Sequence, residues 1–164
     1  MSNPNVEDVK SWRLAAEQGD ADAQNKLGIA YSKGEGVTQD YAEAVKWYRK
    51  AADQGDADAQ FNLGNAYCVS KGVPENADRR QRMLNRRLYP DEGYIRAEKE
   101  RRWVAYGLGG RVPQDYVEGH KWLNLAAAAG HTEAGETREL VEKEMTPEQI
   151  AEAQRLAREW KPTK

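Results

Sequence analysis

The 164-residue chain has few of the residues that catalytic, metal-binding and disulfide-stabilised proteins depend on. It has one cysteine, Cys68, and two histidines, His120 and His131. A single cysteine excludes an intrachain disulfide, and neither histidine has His or Cys neighbours at the spacing of a zinc site. The serines match no nucleophile motif, and the glycine-rich stretch 107–110 follows a predicted helix rather than a strand. The sequence therefore predicts no catalytic residues, no metal, no cofactor and no enzymatic activity.

Long apolar runs and a strong excess of one charge are also missing. The first ten residues contain no apolar run, which predicts neither a signal peptide nor a membrane span. This favours the cytoplasm, although a periplasmic or secreted chain whose signal had been removed would look the same. Lys and Arg number 25 against 27 Asp and Glu, giving a net charge of −2. Such a balance does not point to nucleic acid or to an anionic membrane as the partner of the whole chain.

A 36-residue repeat is the main feature that the sequence does have. Five residues recur at this step: Ala23, Leu27, Gly28, Ala30 and Tyr31 return as Ala59, Leu63, Gly64, Ala66 and Tyr67. A fixed period of this length is typical of a solenoid, in which each unit buries its apolar face against its neighbours. The sequence therefore predicts an all-α protein that presents a surface to a partner.

Local signals divide each repeat into two helices, A and B. Asp20 and Asp40 are placed to cap helix A and helix B of the first unit, and Gly55 ends helix B. Gly28 and Gly64 lie inside the A helices, where glycine costs about 1 kcal/mol relative to alanine. We therefore expect another helix backbone to pass close to each of these two glycines.

The repeat register shifts in the second half of the chain. The segment from Tyr106 to Gly130 matches the segment from Tyr31 to Gly55 at a step of 75 residues rather than 72. We interpret the chain as one domain of about four helix pairs with a C-terminal capping helix. The predicted units are a leading half-repeat at 6–19, repeat 1 at 20–55, repeat 2 at 56–93 with a degenerate second helix, repeat 3 at 94–130 with a degenerate first helix, and a cap at 131–164.

Basic residues are concentrated where the repeat is irregular. Residues 79–111 hold nine of the 14 arginines and carry a net charge of +6, whereas the remainder carries −8. This stretch is interpreted as a solvated surface, as a site for an acidic partner or as a drifted repeat. Tyrosine and tryptophan among the arginines keep nucleic acid open, but the acidic flanks disfavour it.

Candidate partner-binding residues fall into two sets. The first set comprises positions on the A helices outside the core stripe, where exposed apolar and amide side chains would form a peptide groove: Asn25, Ile29, Phe61, Asn65 and Val104. Contact between repeats is an equally good explanation for Ile29 and Phe61. The second set consists of four arginines of the basic stretch: Arg86, Arg87, Arg101 and Arg102. The oligomeric state and the identity of the partner are left open.

The motif Ala-x-x-x-Leu-Gly-x-x-Tyr at 23–31 and 59–67, and the loops at 34–41 and 112–116, resemble the Sel-one-like repeat family, which is related to tetratricopeptide repeats. The resemblance extends over about residues 6–76 and 104–131. It implies a right-handed superhelix whose A helices line a concave face that binds a protein or peptide, as in an adaptor or scaffold. Alternatives are a ligand-binding protein or enzyme that uses the arginine-rich unit, or an immunity protein for a bacterial effector. Secreted relatives linked to β-lactam binding have disulfide-paired helices, which one cysteine cannot form, so that activity is not expected.

Overall fold

The computed structural model describes residues 6–68 and 115–163, and every regular element in these two ranges is an α-helix. The helices of the first range are α1 (Val6–Glu17), α2 (Ala21–Lys33), α3 (Tyr41–Asp53) and α4 (Ala57–Cys68). Those of the second range are α5 (Tyr116–Ala128), α6 (Ala134–Glu142) and α7 (Pro147–Glu159). The all-α fold expected from the repeat is confirmed.

Side-chain caps explain where several of these helices begin. The carboxylates of Asp20 and Asp40 accept hydrogen bonds from the backbone N–H groups of Ala23 (2.7 Å) and Glu43 (3.1 Å). Thr146 begins α7 with a capping box, in which its side chain and that of Gln149 each accept a bond from the other residue's backbone. Such caps satisfy N–H groups that have no partner inside the helix. The caps predicted at Asp20 and Asp40 are therefore confirmed.

Helices α2 and α3 pack together closely because Gly28 has no side chain. A Cβ atom on Gly28 would lie 2.6 Å from the Tyr48 ring and 3.2 Å from the Ala44 carbonyl oxygen. Helices α4 and α5 repeat this arrangement: a Cβ atom on Gly64 would lie 2.8 Å from Leu123 and 3.0 Å from the Gly119 carbonyl oxygen. The close helix crossings expected at the two glycines are confirmed.

The backbone link between paired helices is also the same in both pairs. The Asp40 N–H donates to the Tyr31 carbonyl oxygen, and the Asp115 N–H donates to the Tyr67 carbonyl oxygen, each at 2.9 Å. The first two residues are 9 positions apart and the second two are 48 apart, so the second connection is 39 residues longer. Helix α5 is thus the B helix that pairs with α4.

The pairing of α4 with α5 crosses the expected boundary between a second repeat at 56–93 and a third at 94–130. In the structure α5 packs on α4, because Gly64 and Gly119 allow the two backbones to meet. One helix is expected to end near Tyr89, just before Pro90, and the next to begin near Tyr94, and both positions lie outside the described residues. The division into repeats 2 and 3 therefore stays a prediction.

The apolar core is continuous from one unit to the next. A first cluster joins α1 to α2 around Leu27, a second joins α3, α4 and α5 around Tyr48 and Trp122, and a third joins α4, α5 and α6 around Phe61 and Leu123. Each helix pair therefore shares its buried surface with its neighbours, as stacking in a solenoid requires.

The C-terminal segment folds back over α5. Helices α6 and α7 both pack on α5, and the Trp160 ring meets the Trp122 ring edge to face at 6.0 Å. Beyond α7, the Thr163 N–H donates to the Asp53 carbonyl oxygen (2.7 Å). The end of the chain is thereby fixed to the turn between α3 and α4.

Candidate partner-binding surface

A hydrogen bond between amide side chains joins the A helices α2 and α4. The Asn62 Nδ2 group donates to Asn25 Oδ1 (2.9 Å), and both residues are buried. Asn62 is one position after Phe61, the repeat equivalent of Asn25. The hydrogen bond therefore links consecutive A helices directly, across the face that sequence analysis selected for partner binding.

The structure buries three of the predicted partner-binding residues. Asn25, Phe61 and Asn65 retain 6%, 6% and 2% of their accessible surface, and Ile29 is partly buried. The expectation that these side chains are exposed is therefore wrong. Asn25 is covered because it pairs with Asn62, and Phe61 because its ring stacks on His131 with a 4.0 Å centroid distance.

Buried amide atoms of α4 lack a hydrogen-bond partner among the described residues. Gln60 Oε1 is one such atom, and Asn62 Oδ1 and Asn65 Nδ2 form a pair. One is an acceptor and the other a donor, and the two residues are three positions apart, on neighbouring positions of one helix face. A buried polar atom without a partner costs about 1–3 kcal/mol. Within the described residues, Asn62 Oδ1 and Asn65 Nδ2 are thus an acceptor and a donor left without a partner.

The remaining predicted site residues cannot be placed. Val104, Arg86, Arg87, Arg101 and Arg102 all lie outside the described residues. Their assignment to a partner-binding site stays a prediction from the sequence.

Polar contacts between repeats recur with the same 36-residue step. Gln24 Nε2 donates to the Ala16 carbonyl oxygen (3.0 Å), and Gln60 Nε2 donates to that of Ala52 (3.2 Å). Arg49 likewise donates to the Tyr67 hydroxyl (2.5 Å), as Arg13 does to Tyr31 one unit earlier. These contacts were not expected from the sequence, although the recurrence of Gln and Arg at this step was a usable signal.

The polar contacts between repeats are different at the junction of α5 and α6. Asn124 takes the register position of Arg49, and its Oδ1 accepts from Arg138 Nη1 on α6 (2.9 Å). His120, which is fully buried, lies with Nε2 2.7 Å from Glu142 Oε1, and Arg138 Nε lies 3.6 Å from the same oxygen. These four side chains fasten α6 to α5, which gives His120 a structural role.

The potentially reactive groups of the described residues are placed for packing. Burial raises the pKa of the Cys68 thiol well above its usual range, and a Cβ atom on Gly119 would lie 2.3 Å from its Sγ. A buried neutral thiol is a poor nucleophile. Within 6–68 and 115–163, no group of three or more His, Cys, Asp or Glu side chains could hold a metal ion.

These features define the class of protein: an α-helical repeat solenoid whose units are pairs of helices. The Sel1 repeat family model matches residues 21–56, 57–79 and 102–131, more than half of the chain. The chain belongs to the Sel1 repeat family. Proteins of this family are generally non-catalytic scaffolds for protein interaction.

Two solved structures are similar to the chain. One is c5321, a protective antigen of uropathogenic Escherichia coli strains with the SLR fold: identity is 28%, the TM-score is 0.66, and the match covers 94% of this chain and 25% of that one. The other is a Sel1 repeat protein from Oxalobacter formigenes: identity is 30%, the TM-score is 0.50, and the match covers 79% of this chain and 37% of that one. The chain thus spans a quarter to just over a third of these proteins. No curated protein sequence matches it significantly.

None of the helices in the described part of the chain is long and apolar enough to cross a membrane.

Proposed function

We propose that this protein is a non-catalytic adaptor that binds a partner protein or peptide on the face formed by its A helices. The observation that carries the proposal is the pair of buried, unpaired amide atoms, Asn62 Oδ1 and Asn65 Nδ2 on α4. Membership of a family of interaction scaffolds supports it.

The chemistry of these amides fits a peptide backbone. A backbone N–H could donate to Asn62 Oδ1 and a backbone C=O could accept from Asn65 Nδ2, which would satisfy both atoms. Because the two atoms are buried, a partner must gain access to them by displacing the groups that cover α4. Binding would then recover hydrogen bonds that the free protein lacks, and buried polar contacts of this kind carry much of the specificity of an interface.

Asn65→Leu separates partner binding from folding. The Asn65 Nδ2 group has no hydrogen-bond partner among the described residues, so an apolar side chain of similar size removes a buried, unpaired donor. We expect this variant to melt at or above the temperature of the parent, while its affinity for the partner falls about tenfold or more. The partner is first isolated by affinity purification from the source cell and then titrated by calorimetry.

Lys46→Glu is the matched control, because Lys46 is exposed on the B helix α3. It should leave the affinity unchanged within about twofold, since surface ion pairs contribute little. Equal losses from both variants, or a loss from Lys46→Glu alone, would place the partner on the other face and refute the proposal.

The charge of the arginine-rich stretch supports a more specific form of this proposal, in which the partner is acidic. The net charge of +6 on 79–111, against −8 on the remainder, favours association with a negatively charged surface. We expect the double change Arg86→Glu and Arg87→Glu to weaken the complex and to reduce its sensitivity to salt. A complex that is insensitive to salt and unaffected by this change would show that the arginine-rich stretch does not contribute and that only the A helices bind the partner.

A further inference from the structure

The chain's own C-terminal segment occupies a well-defined site next to the turn between α3 and α4. Thr163 donates both its N–H (2.7 Å) and its hydroxyl (3.2 Å) to the Asp53 carbonyl oxygen. Pro162 and Trp160 each lie 4.0 Å from a Cβ atom built on Gly55, and Trp160 also contacts the Trp122 ring. The site thus combines a carbonyl at a helix C-terminus that has no partner within its own helix, a turn glycine and the face of a tryptophan ring.

The same combination recurs one repeat earlier, and there it is open. Glu17 corresponds to Asp53, Gly19 to Gly55 and Trp47 to Trp122. Both turn glycines have left-handed backbones, with φ of +97° at Gly19 and +96° at Gly55, so the two turns have the same local form. Among the described residues, no atom lies within 4 Å of a Cβ built on Gly19 and none donates to the Glu17 carbonyl oxygen.

The burial of the two tryptophans reflects this difference. Trp122 is fully buried beneath Trp160, whereas Trp47 is only partly buried. Its ring is covered by the side chain of Lys50, whose Nζ lies 4.0 Å from the ring centroid. Lys50 takes the register position of Leu125, and Leu125 and Trp160 both pack against the downstream cluster. An exposed lysine thus stands where the downstream site has a partly buried leucine.

We propose that Glu17, Gly19, Trp47 and Lys50 form a second site, the α1-turn site, for an extended segment of a partner protein. The required segment has the chemistry of Trp160–Thr163: an aromatic side chain to lie on Trp47 and, three residues later, a backbone N–H to pair with the Glu17 carbonyl oxygen. The Lys50 side chain must leave the Trp47 ring before this aromatic side chain can bind. This surface is distinct from the A-helix face, so its test does not depend on the adaptor proposal.

The probe is a synthetic peptide with the sequence of residues 156–163, titrated into the full-length protein and followed by ¹H–¹⁵N NMR. We expect saturable shifts of the Gly19 amide and the Trp47 indole. A peptide with Trp160→Ala, and one with Thr163→Pro that lacks the N–H donor, should each bind about tenfold more weakly or not at all. The protein variant Lys50→Leu should bind the parent peptide more tightly, because it restores the leucine of the downstream site.

Control variants determine how the other possible results of the titration are interpreted. Trp47→Ala, checked for folding by its thermal melt, should lose the Gly19 shifts. If Trp47→Ala fails to fold, the affinity of Lys50→Leu for the peptide, compared with that of the parent protein, still tests the proposal. Shifts confined to Gly55 and Trp122 would show that the peptide only replaces the chain's own tail, and the proposal would be wrong. The absence of saturable shifts up to about 1 mM peptide, or weaker binding by Lys50→Leu, would also overturn it.

Discussion

At the scale of single residues, the glycines at the helix crossings, Gly28 and Gly64, are the constant feature of the repeat. Each faces the backbone of a neighbouring helix so closely that a side chain would not fit. The nearest large side chain differs between the two crossings: it is Tyr48 beside Gly28 and Leu123 beside Gly64. The packing around the crossing can therefore vary as long as the glycine stays. This is why the glycines, rather than the bulky core residues, marked the helix contacts in the sequence.

Gly64→Leu should destabilise the fold by about 1–3 kcal/mol or more, because the added side chain meets Leu123 and the Gly119 carbonyl. Chemical denaturation measures the loss. Gly135→Leu is the matched control: Gly135 lies in helix α6 with nothing within 4 Å of its Cβ position, so the same change has room there. Equal stabilities for the two variants would contradict the packing described here.

Asp56 is predicted to make stability depend on pH. Burial raises the pKa of its carboxyl, the N–H of Ala59 opposes this, and the nearby charge of Asp58 adds to it. A raised pKa in the folded state means that folding favours the protonated form, so this contribution is complete below the ordinary Asp pKa and is lost as the pH rises through the raised value.

Asp56→Asn keeps an amide oxygen for the cap and removes the charge. We expect it to raise the free energy of unfolding at pH 7 by at most about 1 kcal/mol, because water screens a half-buried carboxylate. Denaturation of both proteins between pH 3 and pH 7 checks this, and the gain should disappear at the acidic end. A gain that is constant across this range would show that charge is not its cause.

Residue-scale reasoning succeeded where chemistry is local and failed where it depends on a distant partner. The caps at Asp20 and Asp40 need only the following turn of helix, so the sequence predicted them. The burial of Asn25 depends on Asn62, 37 positions away, and that of Phe61 depends on His131. A single sequence does not show which distant side chain will cover an amide or a ring.

At the scale of helices, the C-terminal segment locks the end of the stack. The residues Ile150, Ala153, Ala157 and Trp160 lie at helical spacing and so predict a helix packed along one apolar stripe, and the structure shows the surface against which it lies. That surface is α5 and the turn before α4, not the preceding helix α6 alone. The direction could not be predicted, because a stripe of mostly small residues fits many helix faces.

Trp160→Ala should lower stability by about 1–2 kcal/mol and expose Trp122, because the edge-to-face contact and its buried area are lost. Thermal melting gives the first effect, and a red shift of tryptophan emission reports the second. Lys161→Ala, at an exposed neighbouring position, should change neither. A Trp160→Ala variant that melts like the parent would show that the tail does not secure the stack.

At the scale of the whole molecule, two equivalent helix pairs are built with connections of very different length. The step of 75 residues in the sequence correctly indicated that α5 is a B helix, and the A helix expected for it was the degenerate first helix of repeat 3, which lies outside the described residues. In the structure α5 packs against α4 through the Tyr67–Asp115 backbone bond and the reciprocal approach of Gly64 and Gly119. The A-helix face proposed to bind the partner exists only because these units stack in this way.

The most direct test of the account is an NMR measurement of contacts between the α-protons of Gly64 and Gly119 in the intact protein. Each glycine's Cβ position lies 3.0 Å from the other's carbonyl oxygen, so the two methylene groups must be neighbours. We predict strong nuclear Overhauser effects between them, matching those between Gly28 and Ala44. Their absence, together with contacts from Gly64 to a helix within residues 69–114, would show that α4 has a different partner and would contradict the account.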